Sequence, residues 1–276
     1  MDTRRSDELS TLPIGIFDSG LGGLTTLKEI RRELPGEDLV YFGDTARVPY
    51  GTRSRDTIHR YAAQDIRFLL SLGIKAVVVA CGTVSTVALE ALSSVCPVYI
   101  EGVLKSAVDG ALAVTRGRVA VLGTPSTIAS GAYEKRLRAG GIAHVLSVAC
   151  PLFVPLVENG FFARDNALAR LAVEEYLAPV KSWGADTVIL GCTHYPLLAG
   201  VIGDYLGDGV ALVDVGRQTA RTVAERLRKD GLLNGQSEGT CRYYVSDAPE
   251  HFSRLASLFL EKDIESRVTL IDIESK

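Results

Sequence analysis

Two of the five cysteines in this 276-residue chain occupy matching places. Ser71, Gly73, Val77 and Cys81 of SLGIKAVVVACGT recur in the same order and spacing as Ser182, Gly184, Val188 and Cys192 of SWGADTVILGCTH. In each copy an apolar run leads to a thiol, and a hydroxyl-bearing turn follows. A buried thiol usually acts as a small hydrophobe, and Cys96, Cys150 and Cys241 are read that way. For Cys81 and Cys192 the matched position points to chemistry. A metal site on Cys192 and His194 would lack the second close-spaced pair that tetrahedral zinc takes. A cysteine nucleophile activated by His194 would leave Cys81 without a role. Two-base proton transfer at a carbon acid uses both thiols. One group removes a proton from one face of a stereocentre, and the other delivers a proton to the opposite face. Thiols suit this because their ordinary pKa, about 8.5, falls beside helix N-termini and hydrogen-bond donors.

Asp18, Ser19 and Glu158 are expected in loops at the same edge, where either carboxylate could orient or help deprotonate a thiol. His194 is the candidate acid or base beside Cys192, although a single loop histidine more often only makes hydrogen bonds. The turns Ser19-Gly20, Gly82-Thr83, Thr124-Pro125 and Thr193-His194 are expected at helix N-termini, which bind carboxylates without a cofactor.

The elements that must position these groups follow from the pattern. PIGIFD (13–18), LVYFGD (39–44), the run ending at Cys81 and PVYIEG (97–102) read as strands. Between them, Leu24, Leu27, Ile30 and Leu34 mark one helix; others are expected at 54–72 and from the Cys81 turn to about Leu92. The series restarts with RVAVLGT (118–124), one helix over PSTIASGAYEKRLRAGG, HVLSVAC (144–150), a loop PLFVPLVENGFF, a helix from Ala167 to Lys181, the run ending at Cys192, and VALVDV (210–215). Similar lengths of chain separate Asp18 from Cys81 and Thr124 from Cys192. The expected fold is therefore α/β, with two parallel-sheet domains related by internal pseudo-symmetry and the site in the cleft between them. The tail (a helix at 216–229, strand CRYYVS, a helix from about Pro249 and strand RVTLIDI) is expected to complete the first domain. The domains are then 1–102 with 214–276, and 103–213; residues 1–12 are read as a disordered tail.

Composition excludes several classes. Thirty basic and 33 acidic residues give a net charge of −3 without basic clusters, which argues against a nucleic-acid surface. No apolar run has the roughly 18 residues of a membrane span, and the first residues lack the apolar core of a signal peptide; a cytoplasmic protein is expected. An odd cysteine count without CxxC spacing argues against a disulfide framework or zinc ribbon. GLGGLT (20–25) with Asp44 meets part of a dinucleotide fingerprint, but Thr25 replaces its third glycine.

FDSGLGGL (17–24), YFGDTARVPYG (41–51), ACGT (80–83), PLFVPLVE (151–158) and LGCTHYPLL (190–198) closely resemble the glutamate racemases of the aspartate/glutamate racemase superfamily. The resemblance runs from about residue 13 to the end. It implies cofactor-independent interconversion of L- and D-glutamate, supplying D-glutamate for peptidoglycan, with no metal. In the family, the residue matching Cys81 acts on D-glutamate and that matching Cys192 on L-glutamate, assisted by those matching Asp18, Glu158 and His194. It further implies substrate contacts from Asp18, Ser19, Pro49, Tyr50, Gly51, Gly82, Thr83, Thr124, Thr193 and His194; a homodimer is expected. One departure has consequence: the family usually has Asn where this chain has Gly82. That removes an amide that would hydrogen-bond the substrate, a loss on the order of 1 kcal/mol. A racemase for another substrate, aspartate or a hydantoin, and a non-catalytic two-lobed binding protein are the other readings.

Overall fold

The computed structural model describes residues 8–264 and 267–275. Apolar runs become strands β1 (Ile14–Asp18), β2 (Leu39–Gly43), β3 (Ala76–Val79), β4 (Tyr99–Gly102), β5 (Arg118–Gly123), β6 (His144–Ala149), β7 (Thr187–Leu190) and β8 (Ala211–Asp214). Two more, β9 (Cys241–Val245) and β10 (Val268–Leu270), follow near the end. They form two sheets, ordered β10-β9-β2-β1-β3-β4 and β6-β5-β7-β8, and all their pairings are parallel. Strands β1, β2, β3 and β7 are buried along their whole length, as sheets covered on both faces require.

The order β2-β1-β3-β4 recurs as β6-β5-β7-β8. Each half thus has a switch point, between β1 and β3 or between β5 and β7, where the crossovers diverge and open a crevice. Cys81 lies just past β3 and Cys192 just past β7. The chain leaves the first sheet after β4, builds the second, and returns to place β9 beside β2. Helix Val215–Asp230, capped by Asp214 and ended by left-handed Gly231, packs on helices Leu24–Glu33 and Val103–Leu112. One apolar cluster runs from Ile16, Tyr41 and Val78 of the first sheet to Ala120, Leu122 and Leu190 of the second.

Several local expectations need correction. Residues 1–7 of the proposed tail lie outside the described residues, but 8–10 are helical and the Ser10 carbonyl accepts from Lys75 Nζ at 2.5 Å. The stretch after Cys81 is two helices, Gly82–Val87 and Leu89–Ser93, broken at Ala88. The stretch after Thr124 is also two, Pro125–Ala129 and Ala132–Ala139, because Gly131 is left-handed at φ 64°. PLFVPLVE is not a loop: Phe153–Glu158 is a helix, with Phe153 and Val157 buried. Pro155 sits in its first turn, where no amide is required.

Candidate active site

The Cys81 turn is fixed by its strand: Ala80 N donates to Phe17 O at 2.9 Å, and Cys81 is the residue before helix Gly82–Val87. Its Sγ lies 3.6 Å from Ser19 Oγ, just past β1. In the second half Gly191 N donates to Leu122 O at 2.8 Å, and Tyr195 N donates to Cys192 O at 3.0 Å. The Thr193-His194 turn enters a short 3₁₀ helix, Tyr195–Leu198, not an α-helix. Ser19-Gly20 lies several residues before its helix, which starts at Leu24; only the other two turns sit at α-helix N-termini.

Cys192 Sγ is 3.7 Å from His194 Nδ1, and His194 Nε2 is 3.0 Å from Glu158 Oε1. Burial alone would pull His194 down, but hydrogen bonds to Cys192 and Glu158 and their charges outweigh it and hold the pKa at about 10. His194 is then an imidazolium at neutral pH, with one N–H on the sulfur and one on the carboxylate. The first half differs. Burial, with the nearby Asp18 charge, pushes the Cys81 thiol up to about 12 against donors at Val84 N and Ser19. The two thiols face the same space in unlike settings.

That space is a cavity of about 310 Å³ between the halves. Ser19, Pro49, Tyr50, Gly51, Cys81, Gly82, Thr83, Thr124, Glu158, Cys192, Thr193 and His194 all line it. Asp18, alone among the sequence candidates, does not. It is buried behind the wall, accepting from Gly20 N at 3.0 Å and Thr193 Oγ1 at 3.4 Å; burial raises its pKa. Tyr50 lines the cavity, yet its hydroxyl is taken by Asp44 and Asp65. Thr83 Oγ1 and Thr124 Oγ1 meet at 3.2 Å from opposite halves, and Ser126 Oγ donates to Gly51 O. Sequence reasoning missed the apolar wall of Val48, Cys150, Pro151, Val154 and Pro155. The four-residue spacing of Phe153 and Val157 is the signal that points to their helix.

The geometry settles two earlier points. A Cβ at Gly22 would stand 2.3 Å from Thr193 Oγ1 and 2.4 Å from His194 Nδ1. The glycine turn therefore makes room for the other half, not for a pyrophosphate, and Asp44 is fully buried among Arg47, Tyr50 and Ser246. At Gly82 a Cβ would stand 2.5 Å from the Gly191 carbonyl oxygen, so the two cysteine-bearing turns touch there.

The Asp/Glu/Hydantoin racemase family model matches residues 14–223. The chain belongs to that family. Members of this racemase family are isomerases, and this chain is one. Over 250 residues it is 52% identical to the glutamate racemase of Geobacter metallireducens, covering 90% of this chain and 92% of the relative. The crystal structure of glutamate racemase from Francisella tularensis in complex with D-glutamate superposes with a TM-score of 0.89 at 35% identity, covering 97% of this chain and all of that one. Glutamate racemase isoform RacE1 from Bacillus anthracis gives 0.91 at 35% identity, over 95% and 98% of the two chains. No helix among the described residues is long and apolar enough to cross a membrane.

Proposed function

We propose that this racemase interconverts L- and D-glutamate without a cofactor, with Cys81 and Cys192 as the two proton-transfer groups. The observation that carries the reading is the unlike setting of two thiols in one cavity. Cys192 has an imidazolium at 3.7 Å as counter-charge for a thiolate. Cys81 is a buried thiol beside Ser19 and an acid. Two-base inversion needs one group deprotonated and the other protonated, and the unlike settings suit that division. With L-glutamate, the Cys192 thiolate takes the α-proton, and the electron pair left on carbon is delocalised into the α-carboxylate. The Cys81 thiol then delivers its proton to the opposite face. One C–H bond breaks, one forms, and the thiol and thiolate exchange places. With D-glutamate the roles reverse. Asp18 positions Gly20 and Thr193, while Glu158 holds His194. The hydroxyls of Ser19, Thr83, Thr124 and Thr193, with the backbone of Pro49, Tyr50, Gly51 and Gly82, would take the substrate's polar groups.

The substrate assignment is supported by glutamate racemases at 52% and 45% identity over most of the chain and by the D-glutamate complex of the Francisella relative. The same reading makes the product D-glutamate a peptidoglycan precursor made in the cytoplasm by a homodimer. It also takes 1–102 with 214–276 and 103–213 as two domains that meet at the cavity. Gly82 in place of the family Asn keeps a second substrate in view, aspartate or a hydantoin, because it removes one polar contact.

The test is incubation of the protein with each glutamate enantiomer in D2O, following optical activity and α-deuteration by NMR. Both enantiomers should racemise with deuterium uptake. Cys81→Ala and Cys192→Ala should each stop inversion, leaving at most exchange at one enantiomer with retained configuration. Full racemisation by either variant would sink the two-thiol mechanism. Inert glutamate with a turned-over aspartate or hydantoin would move the assignment to that substrate.

A further inference from the structure

Behind the cavity wall lies a cluster that the proposed mechanism does not use. Asp44 and Asp65 are both fully buried, and they share one guanidinium and one phenol. Arg47 Nε donates to Asp44 Oδ2 at 2.6 Å, and Nη2 donates to Asp65 Oδ1 at 2.8 Å; Nη1 goes to Gln64 Oε1 at 2.6 Å. Ser246 Oγ, just past β9, donates to Asp44 Oδ1 at 2.8 Å. Tyr50 Oη bonds to Asp44 Oδ2 and lies 2.8 Å from Asp65 Oδ2. Tyr61 lies under the Arg47 guanidinium at 4.2 Å.

Proton counting decides the charge state. A phenol has one proton, so it cannot donate to both carboxyl groups. Asp44 already accepts from Arg47 and Ser246, the pattern of a carboxylate. If Tyr50 donates there as well, its contact with Asp65 Oδ2 is a hydrogen bond only when Asp65 supplies the proton. Asp65 Oδ1 then accepts from Arg47 as a carbonyl oxygen, and every atom is satisfied. The buried charge balances, one guanidinium against one carboxylate, whereas two carboxylates would leave an uncompensated charge in the interior.

We propose that Asp65 is a neutral carboxylic acid that acts as a positioning residue for the substrate cavity. Through the relay Asp65–Tyr50–Asp44 it fixes Tyr50, and with it the Pro49–Thr52 segment that forms one wall. Ser126 grips the same segment from the other half through Gly51 O. The wall is thus clamped from both sides, and a shift at Tyr50 changes substrate fit without touching either thiol. Burial and the Asp44 charge push Asp65 well above the usual carboxylate range, in keeping with the geometry. This inference rests on the cavity being the substrate site.

Infrared spectroscopy tests the proton without reference to activity. At about pH 8 the protein should show a neutral carboxylic acid carbonyl band that is missing in Asp65→Asn. If the two spectra do not differ there, Asp65 is ionised and the proposal fails, while the racemase reading stands. Asp65→Asn keeps both the carbonyl acceptor and a donor toward Tyr50, so its KM should stay within about twofold of the parent. Asp65→Ala removes both, and KM should rise about tenfold with a smaller change in kcat. Asp65→Asn as impaired as Asp65→Ala would also overturn the proposal. A parent protein that racemises nothing would count against the racemase reading instead, with the infrared result unaffected.

Discussion

Burial alone would keep His194 neutral, and only its contacts with Cys192 and Glu158 make it a cation. The folded state therefore holds this proton more tightly than the unfolded chain does, with a pKa of about 10 against an ordinary value of 6.5. That contribution to stability is fully present below about pH 6.5 and is lost as pH rises toward 10. Thermal unfolding of His194→Asn should accordingly depend less on pH over that window than unfolding of the parent. Equal slopes would place the proton elsewhere. The same variant should lose about a hundredfold in kcat/KM, the scale of a missing acid–base partner. The loss must be equal from both enantiomers, because they have the same free energy; a loss of under about threefold would remove His194 from the mechanism. Gly82 makes the opposite kind of residue-scale prediction. From sequence, restoring Asn there adds a lost hydrogen bond. In the structure, a Cβ at this position meets the Gly191 carbonyl oxygen at 2.5 Å, and backbone cannot yield as a side chain can. Gly82→Asn should cost about 1–3 kcal/mol in overpacking and lower turnover by separating the cysteine-bearing turns. A variant as stable as the parent and more active would show that the turns part without cost.

At the scale of elements, the strands and the repeated order were legible because buried parallel strands are long apolar runs with short connections. What the sequence hid was local. Ser130 and Gly131 interrupt a helical pattern without a proline, and only the left-handed φ of Gly131 shows the break. Pro151 and Pro155 disguised helix Phe153–Glu158 as a loop, so Glu158 was placed near the site for the wrong structural reason. The residues that line the cavity were legible through matched strand ends and through the resemblance. The recessed place of Asp18 was not, because a strand-end carboxylate can face the cavity or the backbone behind it. Thr124 shows how an element and the site share one side chain. Its Oγ1 accepts from Thr127 N at 3.3 Å to start helix Pro125–Ala129, and it also meets Thr83. Thr124→Ala should cost about 1 kcal/mol as a lost cap and raise KM. Circular dichroism melts and initial rates check both, and an unchanged KM would remove Thr124 from substrate binding.

On the scale of the molecule, two sheets could fold as independent bodies, but three features oppose it. The apolar cluster is continuous across them. Helix Val215–Asp230 packs both on helix Leu24–Glu33, which follows β1 of the first sheet, and on helix Val103–Leu112, which leads into β5 of the second. Contacts at the cavity, Thr83 with Thr124 and Ser126 with Gly51, join one half to the other. Unfolding should therefore appear as a single calorimetric transition. A ligand held from both sides stabilises both halves at once, by about 2.7 kcal/mol at a hundred times its dissociation constant. D-glutamate at that excess should move the whole transition upward by several degrees without splitting it. Two transitions, of which only one responds, would mean that the substrate is held by one half and that the thiol of the other is brought to it in a separate closing step.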